Sequence, residues 1–151
     1  MINELDLMET HWNNCKEEYT TEAIVLSAHL GVDTDEAESY IDDEDYLVLT
    51  DEEADELVRE YIEEMVWAFN PSFLSAHTGI DEDVFKLLQE KCEGANDAIM
   101  SMIKDFDHLV EDAVACDGRG HFLSGYDGVE QEVTYKSIDN VETDYYIYRR
   151  N

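Results

Sequence analysis

The sequence predicts an α+β fold, a mainly helical bundle closed by a carboxyl-terminal β-hairpin, on three observations. Apolar residues recur at three- and four-residue spacing through much of residues 1–116, which is the period of a helix. Four of the seven glycines lie between Gly118 and Gly128. Two short runs rich in Val, Thr and Tyr then follow, a composition typical of strands. We therefore expect one acidic domain over residues 1–151, with a helical part over 1–116 and a glycine-rich turn and hairpin over 117–151.

Two helices are expected in the first third of the chain. The apolar run over residues 23–30 predicts a buried helix that ends near Gly31. Asp33 or Thr34 then caps a short acidic helix that continues through Ile41.

The clearest element is a long helix that begins with a capping box. Thr50 and Glu53 stand at the spacing at which each side chain bonds the backbone N–H of the other residue. Pro71 ends the helix near Phe69, because the residue before a proline disfavours helix. The apolar positions keep a three- and four-residue spacing and predict one buried face: Ala54, Leu57, Val58, Tyr61, Ile62, Met65, Val66 and Phe69.

Two more helices and the hairpin complete the predicted order. The third helix follows Gly79, and its apolar positions are Val84, Phe85, Leu87 and Leu88. Gly94 separates it from a fourth helix over about residues 95–115. The strands of the hairpin are expected at residues 132–135 and 145–148, after a turn-rich segment.

The charge of the chain limits its partners. Nine Lys and Arg residues stand against 39 Asp and Glu residues, for a formal net charge of -30 at pH 7. Residues 1–116 hold five basic and 32 acidic side chains, and residues 117–151 hold four and seven. Phosphate backbones and anionic lipids are bound through Lys and Arg, so this surface should repel both. We expect no direct binding to nucleic acid and none to membranes.

The sequence also indicates a cytoplasmic protein. No run approaches eighteen apolar residues, and the first residues lack the features of a secretory signal. Cys15, Cys92 and Cys116 are odd in number and widely spaced, so a disulfide framework is not expected and a reducing compartment fits. The oligomeric state stays open, with a dimer among the options.

No metal or cofactor site is predicted. Residues 33–35 resemble the start of a calcium-binding loop, but the glycine that such a loop needs for its sharp turn is missing. The five histidines form no zinc-binding pattern, and Cys116 with His121 makes only a sparse pair.

The acidic side of the long helix is the main candidate for binding. Carboxylates four residues apart, such as Glu56 and Glu60, repel each other at a cost of about 0.2–0.5 kcal/mol per pair. Arg59 is expected to offset part of this cost through Asp55 and Glu63. Trp67 falls off the apolar stripe and could anchor a partner, or could pack on the turn that follows. The predicted partner-binding residues are Glu52, Asp55, Glu56, Glu60, Glu63 and Trp67.

The acidity has a functional explanation and two simpler ones. Duplex DNA carries about one charge per 1.7 Å, so thirty charges correspond to about fifteen base pairs. A rigid acidic domain could therefore imitate nucleic acid and compete for the basic surface of a nucleic-acid-binding protein. The simpler explanations are a solvated helix face and adaptation of a whole proteome to high salt.

The segment around Arg119 and His121 is the most enzyme-like. An arginine and a histidine on a glycine-rich loop could hold an anion or move a proton, as in a small enzyme or ligand-binding protein. The structural explanation is that the glycines turn the chain while Arg119 pairs with nearby acid, and we favour it. We therefore expect no catalytic residue and no enzyme. A structural or assembly adaptor is a further option.

Four stretches of the chain carry a family resemblance. These are Gly118-Arg119-Gly120-His121-Phe122-Leu123-Ser124-Gly125-Tyr126-Asp127-Gly128 with the end Tyr145-Tyr146-Ile147-Tyr148-Arg149-Arg150-Asn151, then residues 67–74, and residues 92–99. Together they resemble a group of small acidic phage and prophage proteins. The resemblance implies a phage origin and no active-site residue.

A phage origin favours an inhibitor of host defence. Small acidic phage proteins are similar in kind to anti-restriction and anti-CRISPR inhibitors, some of which imitate DNA. This chain lacks the sequence patterns of the anti-restriction families that do so, which leaves charge and size as the link. The expected partner is a basic nucleic-acid-binding protein of the host, either a nuclease or a defence complex.

Overall fold

The structure is a computed structural model that describes residues 19–151. Cys15 lies outside the described residues. The described chain combines helices with a small antiparallel sheet, and its last two strands form a hairpin. The predicted α+β class is therefore confirmed.

The elements follow one another in a mostly helical order. The helices are α1 (Thr21–Leu30), α2 (Thr34–Asp42), α3 (Asp51–Met65), α4 (Pro71–Thr78), α5 (Glu82–Leu88), α6 (Asn96–Met102), α7 (Phe106–Asp117) and α8 (Arg119–Leu123). Short 3₁₀ segments cover Val66–Ala68 and Gln89–Ala95. The strands are β1 (Tyr46–Thr50), β2 (Gln131–Lys136) and β3 (Glu142–Arg149).

The described residues form two compact units. Residues 19–55 with residues 119–151 make one, which we call the sheet unit. Residues 56–118 make the other, which we call the helical unit. The sheet unit therefore joins the beginning of the described chain to its end.

The sheet unit contains a strand that the sequence did not reveal. The strand order is β1-β3-β2, and all the pairing is antiparallel. Strand β1 lies opposite β3 with Val48 facing Ile147, so the hairpin is part of a three-stranded sheet. The run that forms β1 is continuously apolar, and periodicity alone cannot assign such a run to a strand. Buried side chains of α1, α2 and all three strands form the core: Val25, Leu26, Ala37, Val48, Val133, Tyr145 and Ile147.

Local signals set the helix ends as expected. The Thr50 backbone N–H donates to Glu53 Oε1 at 3.0 Å, and the Glu53 N–H donates to Thr50 Oγ1 at 3.3 Å, so the capping box is confirmed. Helix α1 ends at Gly31, whose φ of 71° is in the left-handed region that glycine adopts without strain.

The helical unit buries the predicted stripe of α3. Val58, Ile62 and Val66 are fully buried, as is Ala54 in the first turn of the same helix. Tyr61 was assigned to the same stripe, but it is 43% exposed. Side chains from the other helices of the unit complete its core: Leu74, Phe85, Ile99, Leu109 and Ala113.

Proline 71 ends one helix and begins another. The long helix stops near the expected point, but Pro71 is the first residue of α4, a helix that the sequence analysis missed. Asn70 caps α4 by accepting the Ser72 backbone N–H at 2.9 Å. A proline suits this first position because its missing N–H would have no helical partner there.

The predicted fourth helix is wrong as a single element. Residues 96–117 form two helices, α6 and α7, with extended backbone at Ile103, where ψ is 127°. Asp105 begins α7 by accepting the backbone N–H of His108 at 3.2 Å. A short acidic side chain offers the backbone this alternative to a continuous helix.

Two further expectations need correction. The glycine-rich turn contains a short helix, α8, in which Gly120 is buried against another part of the backbone. In α5 only Phe85 is buried, whereas Val84 and Leu87 are 39% and 65% exposed. No helix within residues 19–151 combines the length and the apolar character needed to cross a bilayer.

Candidate functional site

The predicted carboxylates line the solvent side of α3. All five are exposed: Glu52, Asp55, Glu56, Glu60 and Glu63. The first two belong to the sheet unit and the last three to the helical unit. A helix rises 1.5 Å per residue, so carboxylates four residues apart are spaced by about 6 Å along its axis.

These carboxylates differ in whether the protein neutralises them. Glu56, Glu60 and Glu63 form no ion pair with any residue in the range 19–151. Asp55 accepts a hydrogen bond from Arg119 Nη1 at 3.0 Å, so part of its charge is balanced within the sheet unit. Glu52, in the sheet unit, forms no ion pair with residues 19–151 either, so Asp55 is the one predicted carboxylate that is paired within the described residues.

Arg59, the one basic residue of α3, does not pair as the sequence analysis expected. Its guanidinium bonds Asp107 of α7 instead of Asp55 or Glu63, and its Cζ atom lies 4.7 Å from the ring centroid of Phe106. Arg59 therefore neutralises a carboxylate of α7 and none of the α3 carboxylates.

The Arg59–Asp107 contact places acidic residues of α7 beside those of α3. Asp107 and Glu111 are both exposed and lie one turn apart on α7, so they share a side of that helix. We define the acidic face of the helical unit as Glu56, Glu60, Glu63, Asp107 and Glu111. The sequence analysis missed the two α7 residues, because a contact across 48 positions leaves no local signal.

Acid is not confined to this face. The helical unit holds 15 acidic and four basic residues, and the described part of the sheet unit holds 19 and four. Both units therefore carry a negative charge, and the acidic face is the part where two helices contribute carboxylates, of which Asp107 is paired with Arg59.

Trp67 is half-buried in the 3₁₀ segment that follows α3. Its backbone N–H donates to Asn96 Oδ1 at 3.1 Å, while Asn96 Nδ2 donates to the Glu63 carbonyl at 2.7 Å. Its indole nitrogen is buried and has no acceptor among residues 19–151. Asn96 therefore holds the end of α3 and the Trp67 backbone together.

Arg119 is the centre of a charge cluster in the sheet unit. Its Nη1 atom lies 2.8 Å from Asp51 Oδ1 and 3.0 Å from Asp55 Oδ1, and its Nε atom lies 2.8 Å from Glu130 Oε1. Only 10% of its side chain is exposed. Burial alone would lower the pKa of the guanidinium, but the bonds to Glu130 and Asp51 outweigh it and raise the pKa.

Tyr148 extends this cluster into the sheet. It is fully buried, and its hydroxyl donates to Glu130 Oε1. Burial, and then the hydrogen bond to Glu130, raise the pKa of the Tyr148 hydroxyl. The cluster thus links α8, the start of α3 and strand β3.

The two residues of the enzyme-like segment, Arg119 and His121, have different surroundings. Arg119 forms ion pairs with three carboxylates. This pairing with nearby acid is what the favoured structural explanation expects. His121 is exposed, and its ring packs edge-on against Phe122 at a centroid distance of 5.0 Å. Within the part of the chain that the structure describes, no three His, Cys, Asp or Glu side chains are grouped to hold a metal ion.

His77 forms a buried contact that sequence patterns did not indicate. Its Nε2 atom lies 2.7 Å from Asp112 Oδ2, and its side chain is 7% exposed. The rings of Phe73 and His108 pack against it at centroid distances of 4.7 and 5.3 Å. These contacts fasten α4 to α7 within the helical unit.

Comparisons of the chain with models of known protein families, with curated proteins and with solved structures give no significant match. The function must therefore be argued from the residues themselves.

Proposed function

We propose that this protein is a phage-encoded acidic inhibitor that occupies the nucleic-acid-binding surface of a basic host protein. The target would be a nuclease or a defence complex in the host cytoplasm. The acidic face of the helical unit is the proposed contact surface, and Trp67 is a proposed apolar anchor at its end. Glu52 and Asp55 remain predicted contacts on the first turn of α3.

One observation carries the proposal. Glu56, Glu60 and Glu63 stay unpaired on one helix although a basic residue, Arg59, lies between them in sequence. Repulsion between carboxylates one turn apart costs stability, and a lysine in this row would remove that cost. A binding role explains why the destabilising row is kept, because a basic partner would neutralise its carboxylates on contact.

The charge and the spacing suit a groove that binds nucleic acid. A row of negative charges about 6 Å apart on a rigid helix presents a regular array to lysines and arginines. Such an array speeds the encounter with a basic partner and makes the complex sensitive to salt. The resemblance to small acidic phage proteins supports a target in the host.

The proposal is tested by capture and competition. The tagged protein is incubated with a bacterial lysate at about 50 mM and then at about 0.5 M salt, where charge contacts are screened. The captured protein is purified, and duplex DNA is added as a competitor. We expect that DNA and this protein exclude each other. A captured protein that binds both at once would rule out mimicry.

A pair of matched variants locates the contact surface. Glu56→Lys with Glu60→Lys changes two charges on the acidic face, and Glu90→Lys with Glu93→Lys makes the same change at exposed positions outside it. We expect the first pair to weaken binding at least about tenfold, or about 1.4 kcal/mol, more than the second. Equal losses would mean that net charge alone, and not this face, drives the association.

A further inference from the structure

Arg149 is an exposed cation near the end of strand β3. Its Nε atom donates to the main-chain oxygen of Asn151 at 2.9 Å. Its two terminal nitrogens form no hydrogen bond or ion pair with residues 19–151. Arg59 and Arg119, in contrast, each bond at least one carboxylate of their own unit. The Arg149 charge attracts the Asp127 carboxylate, but the outer edge of its guanidinium has no hydrogen-bond partner among residues 19–151 and is open to an external acceptor.

Aromatic rings hold this guanidinium in place. Its Cζ atom lies 3.8 Å from the ring centroid of Tyr126 and 5.9 Å from that of Tyr46. Tyr46 is the partner of Arg149 in the β1–β3 register, so the sheet itself sets part of this arrangement. A guanidinium that is stacked and bonded through Nε loses less freedom when its outer edge binds an anion.

The acids next along the chain to Tyr126 and Tyr46, which are Asp127 and Asp45, are hydrogen-bonded within the protein. The Asp127 carboxylate accepts the Ser124 hydroxyl at 2.7 Å and the Val129 backbone N–H at 3.0 Å. Asp45 accepts the Asn151 side-chain amide at 2.9 Å. Both acids are thus already hydrogen-bonded within the sheet unit, and neither forms a hydrogen bond to Arg149.

We propose that Arg149, backed by Tyr126, is a binding site for a planar carboxylate group. The planar fork of a guanidinium matches a carboxylate through two parallel hydrogen bonds. It also matches phosphate, but a phosphate group carries about -1.5 to -2 charges at pH 7 and a carboxylate carries one. The strongly acidic sheet unit repels the more highly charged group more. The carboxylate comes from a small organic acid or from an acidic side chain of a peptide.

The test is a titration of the whole protein followed by NMR of the Arg149 Nε–H and Tyr126 ring signals. Sodium acetate, a blocked glutamate peptide and inorganic phosphate are added separately at constant ionic strength. We expect saturable shifts with acetate or the peptide and a dissociation constant on the order of millimolar. The arm that saturates at lower concentration identifies the source of the carboxylate. Shifts that never saturate, or tighter binding of phosphate, would overturn the proposal.

Two variants separate a specific site from general attraction. Arg149→Lys keeps the charge but removes the planar fork, and we expect at least a fivefold weaker affinity. Arg150→Ala removes a neighbouring charge but leaves the stack, and we expect less than a twofold change. If Arg150→Ala weakened the affinity more than Arg149→Lys, the shifts would reflect net charge and not a site at Arg149. If Arg149→Lys does not fold, Tyr126→Leu replaces it, and unchanged acetate affinity in that variant would overturn the role of the stack.

Discussion

The guanidinium carbon of Arg119 lies 4.5 Å from the ring centroid of Tyr146, on the side of the sheet that also carries Tyr148. The same guanidinium bonds Asp51 and Glu130, so one side chain connects the start of α3, the segment before β2 and strand β3. Arg119 therefore cross-links three parts of the sheet unit that are far apart in sequence.

Replacing Arg119 with methionine should destabilise the protein by about 1.5–3 kcal/mol, because it removes charged hydrogen bonds from a buried guanidinium to three carboxylates, of which Glu130 is the least exposed. Urea unfolding followed by circular dichroism measures the loss. Arg59→Met is the matched control: its pair with Asp107 is exposed, and we expect a loss below about 1 kcal/mol. Equal losses in the two variants would contradict the central role of Arg119.

Gly120→Ala should destabilise the protein by about 1–3 kcal/mol, because overpacking against fixed atoms forces the chain to move. A Cβ atom at Gly120 would lie 2.5 Å from the Gly128 carbonyl oxygen and 2.9 Å from the Glu130 nitrogen. Both are backbone atoms, which cannot rotate away. Thermal unfolding gives the measurement. Gly94→Ala, whose Cβ would meet nothing closer than 3.9 Å, should be close to neutral.

Cys92→Gly should stabilise the protein by about 1 kcal/mol. Cys92 has φ 52° and ψ -135°, a conformation that strains any residue with a side chain. Glycine relieves that strain, since it has no Cβ atom. Cys116→Gly removes an equally exposed thiol from α7 and should lower stability by about 1 kcal/mol. Changes of the same sign in both variants would show that the Cys92 backbone is unstrained.

Asp127→Asn should lower stability at pH 7, and the difference from wild type should shrink in acid. The Ser124 hydroxyl and then the Val129 N–H lower the pKa of the Asp127 carboxyl. The ionised carboxylate therefore adds stability above its ordinary pKa of about 3.9, and this is lost as pH falls through the lower folded-state pKa. Unfolding curves between pH 7 and pH 2.5 measure the difference. Asp139→Asn, in the exposed hairpin turn, controls for net charge.

Glu60→Gln should raise the free energy of unfolding by about 0.2–0.5 kcal/mol, because it removes repulsion between Glu60 and the carboxylates one turn away. The gain should disappear near 1 M salt, where exposed charges more than about 3 Å apart are screened. Urea titrations at low and high salt test both statements. A loss of stability at low salt would show that Glu60 does not destabilise the helix. The binding role is inferred from that destabilisation, so this result would contradict it.

Local chemistry explains which elements could be predicted. The capping box of Thr50 and Glu53, the glycine at the end of α1 and the hairpin each depend on residues close in sequence. The exposed carboxylates of α3 follow from helical periodicity in the same way. These features need no knowledge of the rest of the fold.

The errors arose where one local pattern permits two structures. Pro71 disfavours the helix before it but is well suited to start another, so the sequence marked a boundary and missed α4. The apolar run of β1 becomes a strand only because β3 lies beside it. Asp105 breaks the predicted fourth helix by capping α7, a choice that depends on packing.

The sequence by itself determined the strong negative charge, the α+β class and the exposed acidic row, because composition and periodicity act over a few residues. Only the tertiary structure decided which charges are neutralised. Arg119 meets Asp51 across 68 positions, and Arg59 meets Asp107 across 48. Each guanidinium could have paired with several nearby acids, and the packing of distant helices and strands selected among them.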